Sequence, residues 1–138
     1  MTAMPARVRE LLERVPTAVL ATVDPDGVPN AVPIGAKRTL DDGLVLISDQ
    51  FFNKTLANMR ANPHVSVLFW EGREGYQLKG TVTIDTEGPR YLECARWIEE
   101  LDRAVQRPFP LRSKGAVLLT VEAIYSVAPG PGAGKRIA

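Results

Sequence analysis

The chain has 138 residues, of which 45% are hydrophobic, and carries a formal net charge of +1 with one cysteine and one histidine. This composition predicts one compact domain, assigned to residues 1–128, and the near-neutral charge excludes the broad basic face of a nucleic-acid-binding protein. No apolar run suits a membrane span or a secretion signal, so we expect a soluble, cytoplasmic protein without membrane contact. One cysteine and one histidine cannot form a protein-only zinc site of the usual kind.

The first predicted elements are a helix and a β-hairpin. Residues 5–15 show the apolar spacing of an amphipathic helix. Residues 17–23 and 28–37 are apolar runs separated by the turn-forming sequence Asp24-Pro25-Asp26-Gly27, and therefore predict two antiparallel strands. Two prolines in the second of these strands lack the N–H that a neighbouring strand would need. This strand must therefore lie at an edge or a gap of the sheet.

Further strands and helices follow in alternation. A turn over Leu40-Asp41-Asp42-Gly43 leads to a third strand, residues 44–48, and then to a short helix, residues 53–61. Residues 65–70, 76–85 and 116–127 predict the remaining strands. Between the last two of these, Gly88-Pro89 begins a helix whose apolar stripe includes Cys94.

These elements predict the fold class. It is mainly β with helices (α+β): a six-stranded antiparallel split β-barrel with about three helices packed around it, because closing the sheet removes exposed edges. Residues 129–138 lose all apolar pattern and are rich in glycine and proline. They predict a flexible tail.

The most informative segment lies where the third strand ends and the second helix begins. The sequence Asn53-Lys54-Thr55 puts an ammonium and a hydroxyl in the first turn of a helix, where free backbone N–H groups and the helix dipole already favour an anion. The phosphate of a cofactor is the anion we expect. The alternative is that Asn53 caps a surface helix and Lys54 is a solvated charge.

The order of these motifs resembles a known family. The motifs occur in a fixed order between Thr17 and Thr86. They are a hairpin with Asp-x-x-Gly at its turn, a second strand that contains glycine, a strand that ends near Ser48, and Asn53-Lys54-Thr55 leading to Asn62-Pro63. This arrangement resembles the FMN-binding split β-barrel superfamily related to pyridoxamine 5′-phosphate oxidase. The resemblance implies FMN as the cofactor.

The resemblance also implies cofactor-binding residues. The FMN phosphate is expected at Asn53, Lys54 and Thr55, and the isoalloxazine ring along the backbone of Pro33, Ile34 and Gly35. The ribityl chain or the pyrimidine edge is expected at Ile47, Ser48 and Asp49, and Gln77 is expected to substitute for a glutamine of the family. Alternatively, Ser48 and Asp49 only end a strand and begin a turn. Catalytic residues are not assigned, and His64, Trp70 and Trp97 receive no role.

The implied function is that of an FMN-dependent oxidoreductase acting on a small organic substrate, in a homodimer. The chain ends without the tryptophan and arginines expected of the vitamin-forming oxidase, which argues against that activity. One alternative is a non-enzymatic FMN carrier or electron-transfer protein. A second is a member of the fold that binds the deazaflavin F420 or haem, with Arg103, Arg107, Arg112 and Lys114 serving the acidic tail of F420. The remaining alternative is a domain that binds no cofactor.

Overall fold

The computed structural model describes residues 1–41 and 43–138, which form three helices and seven strands. The helices are α1 (Ala6–Arg14), α2 (Lys54–Ala61) and α3 (Pro89–Ala104). The strands are β1 (Ala18–Val23), β2 (Pro29–Ile34), β3 (Lys37–Asp41), β4 (Leu44–Asp49), β5 (His64–Glu71), β6 (Glu74–Asp85) and β7 (Gly115–Ser126). The predicted turn over residues 40–43 includes Asp42, which lies outside the described residues.

The strands form one antiparallel sheet in the order β2-β1-β5-β6-β7-β4-β3. The predicted fold class, mainly β with three helices, is confirmed. The predicted number of six strands is wrong, and so is the expectation of closure, because β2 and β3 form two edges and the sheet is not closed.

The extra strand arises because the predicted strand over residues 28–37 is divided. Its first part, β2, pairs with β1, and its second part, β3, pairs with β4 at the far edge of the sheet. Only Gly35 and Ala36 separate the two strands, and three Cα–Cα steps reach at most about 11 Å. The sheet must therefore curl until its edges approach each other at Gly35-Ala36, where the Ser48 N–H also donates to the Ala36 carbonyl at 3.1 Å.

Local sequence explains the hairpin that places β2. The Asp24 carboxylate accepts hydrogen bonds from the N–H groups of Asp26 and Val28, both at 2.9 Å. Gly27 adopts a φ of 83°, a conformation that favours glycine. The Asp-Pro-Asp-Gly turn predicted from the sequence is thus present.

The curl of the sheet also depends on a close approach between β6 and β7. The register of the two strands shifts between Lys79 and Gly80. A Cβ atom added at Gly80 would lie 2.0 Å from the Thr120 carbonyl oxygen, so this position has no room for a side chain. Such an irregularity bends a strand and increases its twist.

The curled sheet encloses the main core, and α1 covers it. Residues of β4 show how the two faces differ, because Val45 and Ile47 lie in the main core whereas Leu46 packs with Cys94 in a second cluster beneath α3. Cys94 is fully buried, as predicted from its position in the apolar stripe. None of the helices in residues 1–41 and 43–138 combines the length and apolar character needed to cross a bilayer.

The last residues lie along β7 rather than extending from the domain. The sequence predicts a flexible tail over residues 129–138, whereas the Ser126 N–H donates to the Lys135 carbonyl at 2.9 Å and the Ile137 N–H donates to the Ile124 carbonyl at 2.8 Å. The physical reason is that β4 pairs only with the first half of β7. The backbone groups of its second half therefore need other partners.

Candidate functional site

A cavity of about 390 Å³ lies beside the connection between the two sheet edges. One wall is formed by the end of β2 and by Gly35-Ala36. The opposite wall is formed by Ser48, the loop after β4 and the first residues of α2. The volume falls within the usual range for small-molecule sites, roughly 300–1,000 Å³.

The start of α2 has free hydrogen-bond donors at this cavity. Asn53 precedes the helix, but its side chain makes no capping hydrogen bond, and the first turn contains no acidic residue. The first N–H groups of a helix have no partner within the helix, and the helix dipole places a partial positive charge there. An anion bound at this end would satisfy these donors.

Lys54 adds a full charge to the same place. Its side chain is exposed, it lines the cavity, and it has no ion-pair partner within residues 1–41 and 43–138. An unpaired ammonium beside free N–H groups can form a charge-assisted hydrogen bond with a phosphate oxygen. The side chain is therefore available to a ligand.

Thr55 is held as a hydrogen-bond donor by its neighbours. Its hydroxyl oxygen is buried and accepts a hydrogen bond from the Asn30 side-chain amide at 3.0 Å. That amide also donates to the Thr22 hydroxyl at 3.2 Å, as does the Asn58 amide at 3.0 Å. Because Asn30 supplies the proton in its bond to Thr55, the Thr55 hydroxyl proton remains available for an acceptor in the cavity.

Ser48 and Asp49, which were expected to contact the polyol, have other partners. The Ser48 hydroxyl donates to the Ser113 hydroxyl at 2.9 Å, so Ser48 can only accept a hydrogen bond from a ligand. The Asp49 carboxylate accepts the Phe52 N–H at 2.9 Å and lies 3.7 Å from the Lys114 ammonium. Asp49 is 1% exposed and holds the loop between β4 and α2 in place.

Lys37 fixes the other side of the Gly35-Ala36 connection. Its ammonium donates to the Val15 carbonyl, after the end of α1, at 2.6 Å. Burial lowers the pKa of Lys37, and the charge of Glu13 opposes that shift. Lys37 therefore attaches the start of β3 to α1 and does not line the cavity.

Most of the positions expected at the cofactor line this cavity, and three do not. Those that line it are Pro33, Ile34, Gly35, Ser48, Asn53, Lys54 and Thr55. Ile47 points into the main core because alternate residues of β4 face opposite sides of the sheet. Asp49 ends β4, and its carboxylate is engaged by the Phe52 N–H and by Lys114. Gln77 lies in β6 and lines a separate cavity with Trp70 and Val127.

Gly35 leaves space that the protein itself does not require. A Cβ atom added there would make only an ordinary contact, 3.7 Å from the Pro16 carbonyl oxygen. The residue is exposed, and its φ lies outside the left-handed region. The absence of a side chain here is therefore consistent with the close approach of a flat ligand, as the resemblance implies.

The sequence interpretation missed the residues that complete the loop wall, which are Gln50, Phe51 and Phe52. Phe51 is 65% exposed and meets Phe109 edge-on, with ring centroids 5.6 Å apart. Phe51 and Phe52 are two adjacent aromatic residues directly before the helix start that the sequence predicts to bind an anion. That composition was the signal that could have identified them.

Comparisons with known proteins agree with this architecture. The family model of pyridoxamine 5′-phosphate oxidase matches residues 4–128. An uncharacterised protein of Methanocaldococcus jannaschii is 43% identical over 122 residues, which cover 86% of this chain and 78% of that protein.

Two solved structures show the same fold. HupZ of Group A Streptococcus superimposes with a TM-score of 0.78 at 26% identity, covering 95% of this chain and 99% of HupZ. An FMN-binding protein from Syntrophomonas wolfei superimposes with a TM-score of 0.74 at 19% identity, covering 89% of this chain and 85% of that protein. The family match extends over nearly the whole length and confirms the resemblance seen in the sequence: the chain belongs to the pyridoxamine 5′-phosphate oxidase family, within the FMN-binding split β-barrel superfamily.

Proposed function

We propose that the protein binds FMN in the cavity between the edge strand β2 and the start of α2. The observation that carries the proposal is the composition of the two walls. On one side lies the edge strand β2 followed by Gly35, and on the other lies the start of α2, which has no side-chain cap and whose Lys54 has no ion-pair partner among the described residues. FMN has a flat ring at one end and a phosphate at the other, and these two walls complement the two ends. The FMN-binding relative from Syntrophomonas wolfei supports this choice.

In this proposal each residue has a binding role. The phosphate accepts hydrogen bonds from the first N–H groups of α2, from the Lys54 ammonium and from the Thr55 hydroxyl. The ring lies along the end of β2, with Gly35 allowing close contact. Asn30 donates to the Thr55 hydroxyl oxygen, which leaves the hydroxyl proton for the phosphate.

The charges on the protein favour FMN over F420. The series Arg103, Arg107, Arg112 and Lys114 was considered for an acidic tail, but three of these four cations already have carboxylate partners. Arg103 lies 4.0 Å from Glu99, Arg112 lies 3.3 Å from Asp102, and Lys114 lies 3.7 Å from Asp49. A series in which three of the four charges are already paired offers little attraction to a poly-glutamate tail.

The cavity lining favours FMN over haem. Haem iron is usually held by a histidine, cysteine, methionine or tyrosine side chain. Among the described residues that line the cavity, none is of these types. The single histidine, His64, begins β5 and is exposed outside this cavity.

We further propose that the protein is an FMN-dependent oxidoreductase that acts on a small organic substrate. FMN supplies hydride or electron transfer when bound, and the protein supplies binding, orientation and electrostatics, so no catalytic triad is needed. The alternative function of an electron carrier shares the same cofactor site and differs only in having a protein as its redox partner.

A homodimer is part of this proposal. The outer edge of β2 has no strand partner among the described residues, and Trp70 in β5 is 54% exposed. A second copy of the chain would cover such surfaces, as in other symmetric oligomers. Light scattering after size exclusion measures the mass, and a monomer at all concentrations would contradict this part of the proposal.

The test of the cofactor begins with the purified protein. We expect the visible absorbance of oxidised flavin, or stoichiometric uptake of added FMN followed by calorimetry. A colourless protein that takes up no FMN would refute the proposal. The FMN-loaded protein is then assayed for oxidation of reduced nicotinamide cofactors with an added electron acceptor. We expect an enzyme to oxidise them and an electron carrier not to.

A further inference from the structure

A second cavity of about 360 Å³ adjoins the proposed FMN site. The two cavities share Gly35, Ala36 and Gln50 as a common wall. The other walls of the second cavity come from the connection between α1 and β1, from the end of α3 and from the loop that follows α3. They are formed by Pro16, Leu101, Ala104, Val105, Arg107 and Leu111. A molecule in this cavity would lie beside the FMN.

The lining of the second cavity is apolar except for two polar side chains. Leu101 is 38% exposed and Val105 is 51% exposed, so both present apolar surface to water at the end of α3. Removal of such surface from water favours binding of an apolar molecule. Gln50 and Arg107 supply the polar groups.

Arg107 gives the cavity an unbalanced positive charge. Its side chain is exposed, and it has no ion-pair partner in the part of the chain that the structure describes. The nearest acidic residue in sequence, Asp102, is already engaged, because its carboxylate accepts the Leu111 N–H at 2.9 Å and lies 3.3 Å from Arg112. No acidic residue lines the cavity among the described residues.

We propose that this second cavity binds an apolar monoanion, which is the organic substrate of the FMN site. The anionic group, a carboxylate or a similar oxyanion, pairs with the Arg107 guanidinium, and the apolar body packs against Leu101 and Val105 and reaches the Gly35-Ala36 wall. The role as substrate rests on the proposed FMN function. The binding of the anion does not depend on it.

The test uses 8-anilinonaphthalene-1-sulfonate, an apolar aromatic monoanion, titrated calorimetrically into the full chain saturated with FMN. Arg107→Gln removes the charge while keeping a similar length, and we expect about tenfold weaker binding, the loss of one exposed charge-assisted contact. Ala104→Trp fills the cavity from an exposed position of α3, and we expect binding to be lost. Arg103→Gln removes an arginine that lies next to Ala104 on α3 but outside the cavity, and it is the matched control, with affinity expected within about twofold.

Charge selectivity gives a second readout. Octanoate is expected to displace the sulfonate probe, whereas octylamine is not. Equal losses in Arg107→Gln and Arg103→Gln, or unchanged binding in Ala104→Trp, would overturn the proposal. If Ala104→Trp instead changes the oligomeric mass without affecting probe binding, this surface is an interface between copies of the chain and the proposal is wrong.

The experiment separates the two proposals. If the protein takes up no FMN, the same titrations are done on the protein alone, and binding that still depends on Arg107 and Ala104 supports the anion site while the FMN proposal fails. If FMN binds and the affinity for the probe is the same in both variants as in the unchanged protein, the proposed anion site is wrong while the FMN proposal stands. Neither variant alters a residue that lines the FMN cavity, so FMN affinity is expected to stay unchanged in both.

Discussion

The contact between Lys54 and the phosphate can be isolated by changing the protein and the ligand separately. Lys54→Ala removes the ammonium at the start of α2, and riboflavin is FMN without its phosphate. If the ammonium touches the phosphate, the substitution weakens binding of FMN and leaves binding of riboflavin unchanged. The difference between the two losses is the coupling energy of this one contact.

The expected magnitude follows from the exposure of Lys54. A hydrogen bond to a charged group contributes about 1.5–3 kcal/mol, whereas two unit charges 4 Å apart in bulk water attract by only about 1 kcal/mol. Lys54 is exposed, but it lies beside helix N–H groups that converge on the same anion. We therefore expect a loss of about 1.5–3 kcal/mol for FMN, which corresponds to roughly 10- to 150-fold in the dissociation constant.

The assay is quenching of flavin fluorescence on titration with protein, at low and high salt. Arg60→Ala is the matched control, because Arg60 is an exposed cation in the last turn of the same helix. It removes the same charge from α2 but lies away from the cavity. We expect Arg60→Ala to leave both ligands within about twofold and the Lys54 effect to shrink at high salt.

Equal losses for FMN and riboflavin in Lys54→Ala would refute the reasoning, since the lysine would then act on the ring or on the helix rather than on the phosphate. Equal losses for Lys54→Ala and Arg60→Ala with FMN would also refute it. That result would mean that net charge, rather than position, governs affinity.

Three further predictions concern the residues around the site. Thr55→Val removes one of the two acceptors of the Asn30 amide, the other being the Thr22 hydroxyl. The substitution is expected to lower the free energy of unfolding, measured by urea denaturation, by about 1–3 kcal/mol and to weaken FMN binding, whereas Thr55→Ser keeps most of both. Equal stability of the two variants would contradict this. Gly35→Ala is expected to keep its stability within about 0.5 kcal/mol but to bind FMN about tenfold more weakly. Gly80→Ala introduces a Cβ that collides with the backbone of β7, and it is expected to lose about 1–3 kcal/mol of stability. A loss of stability in Gly35→Ala with none in Gly80→Ala would contradict the roles given to the two glycines. Burial lowers the pKa of Lys37 below its usual 10.5, so at pH values between the folded and unfolded pKa the unfolded state binds more protons than the folded state. The stability of the protein relative to Lys37→Met is therefore expected to rise as the pH rises through this range. Thermal unfolding of both proteins at several pH values measures the stability difference, and a constant difference would contradict the burial.

Sequence patterns predicted those elements whose cause is local. The carboxylate of Asp24 and the glycine at position 27 form the first hairpin turn through contacts within five residues of chain, and the pattern of residue types alone indicated them. The start of α2 was predicted for the same reason. Helix ends and tight turns depend on neighbouring residues, so their signals are readable in a single sequence.

Long-range contacts account for the features that the sequence patterns did not indicate. Nothing in residues 28–37 indicates that β2 and β3 pair with different partners, because the choice of partner depends on β1 and β4. Ile47 faces the core and not the cavity because the register of β4 against β7 decides which face each residue occupies. Asp49 contacts Lys114, which lies far along the chain, and this partner was not visible from the sequence.

The sequence by itself determined a mainly β domain with three helices and the place where α2 begins, after Asn53, since hydrophobic periodicity and turn chemistry act over a few residues. Tertiary structure alone decided that the sheet remains open, that its two edges meet at Gly35-Ala36, and that a second cavity with Arg107 at its rim adjoins the first. The physical reason is that these features arise from strand pairing and packing between residues distant in the chain, and local propensity carries no information about which distant partner a strand will choose.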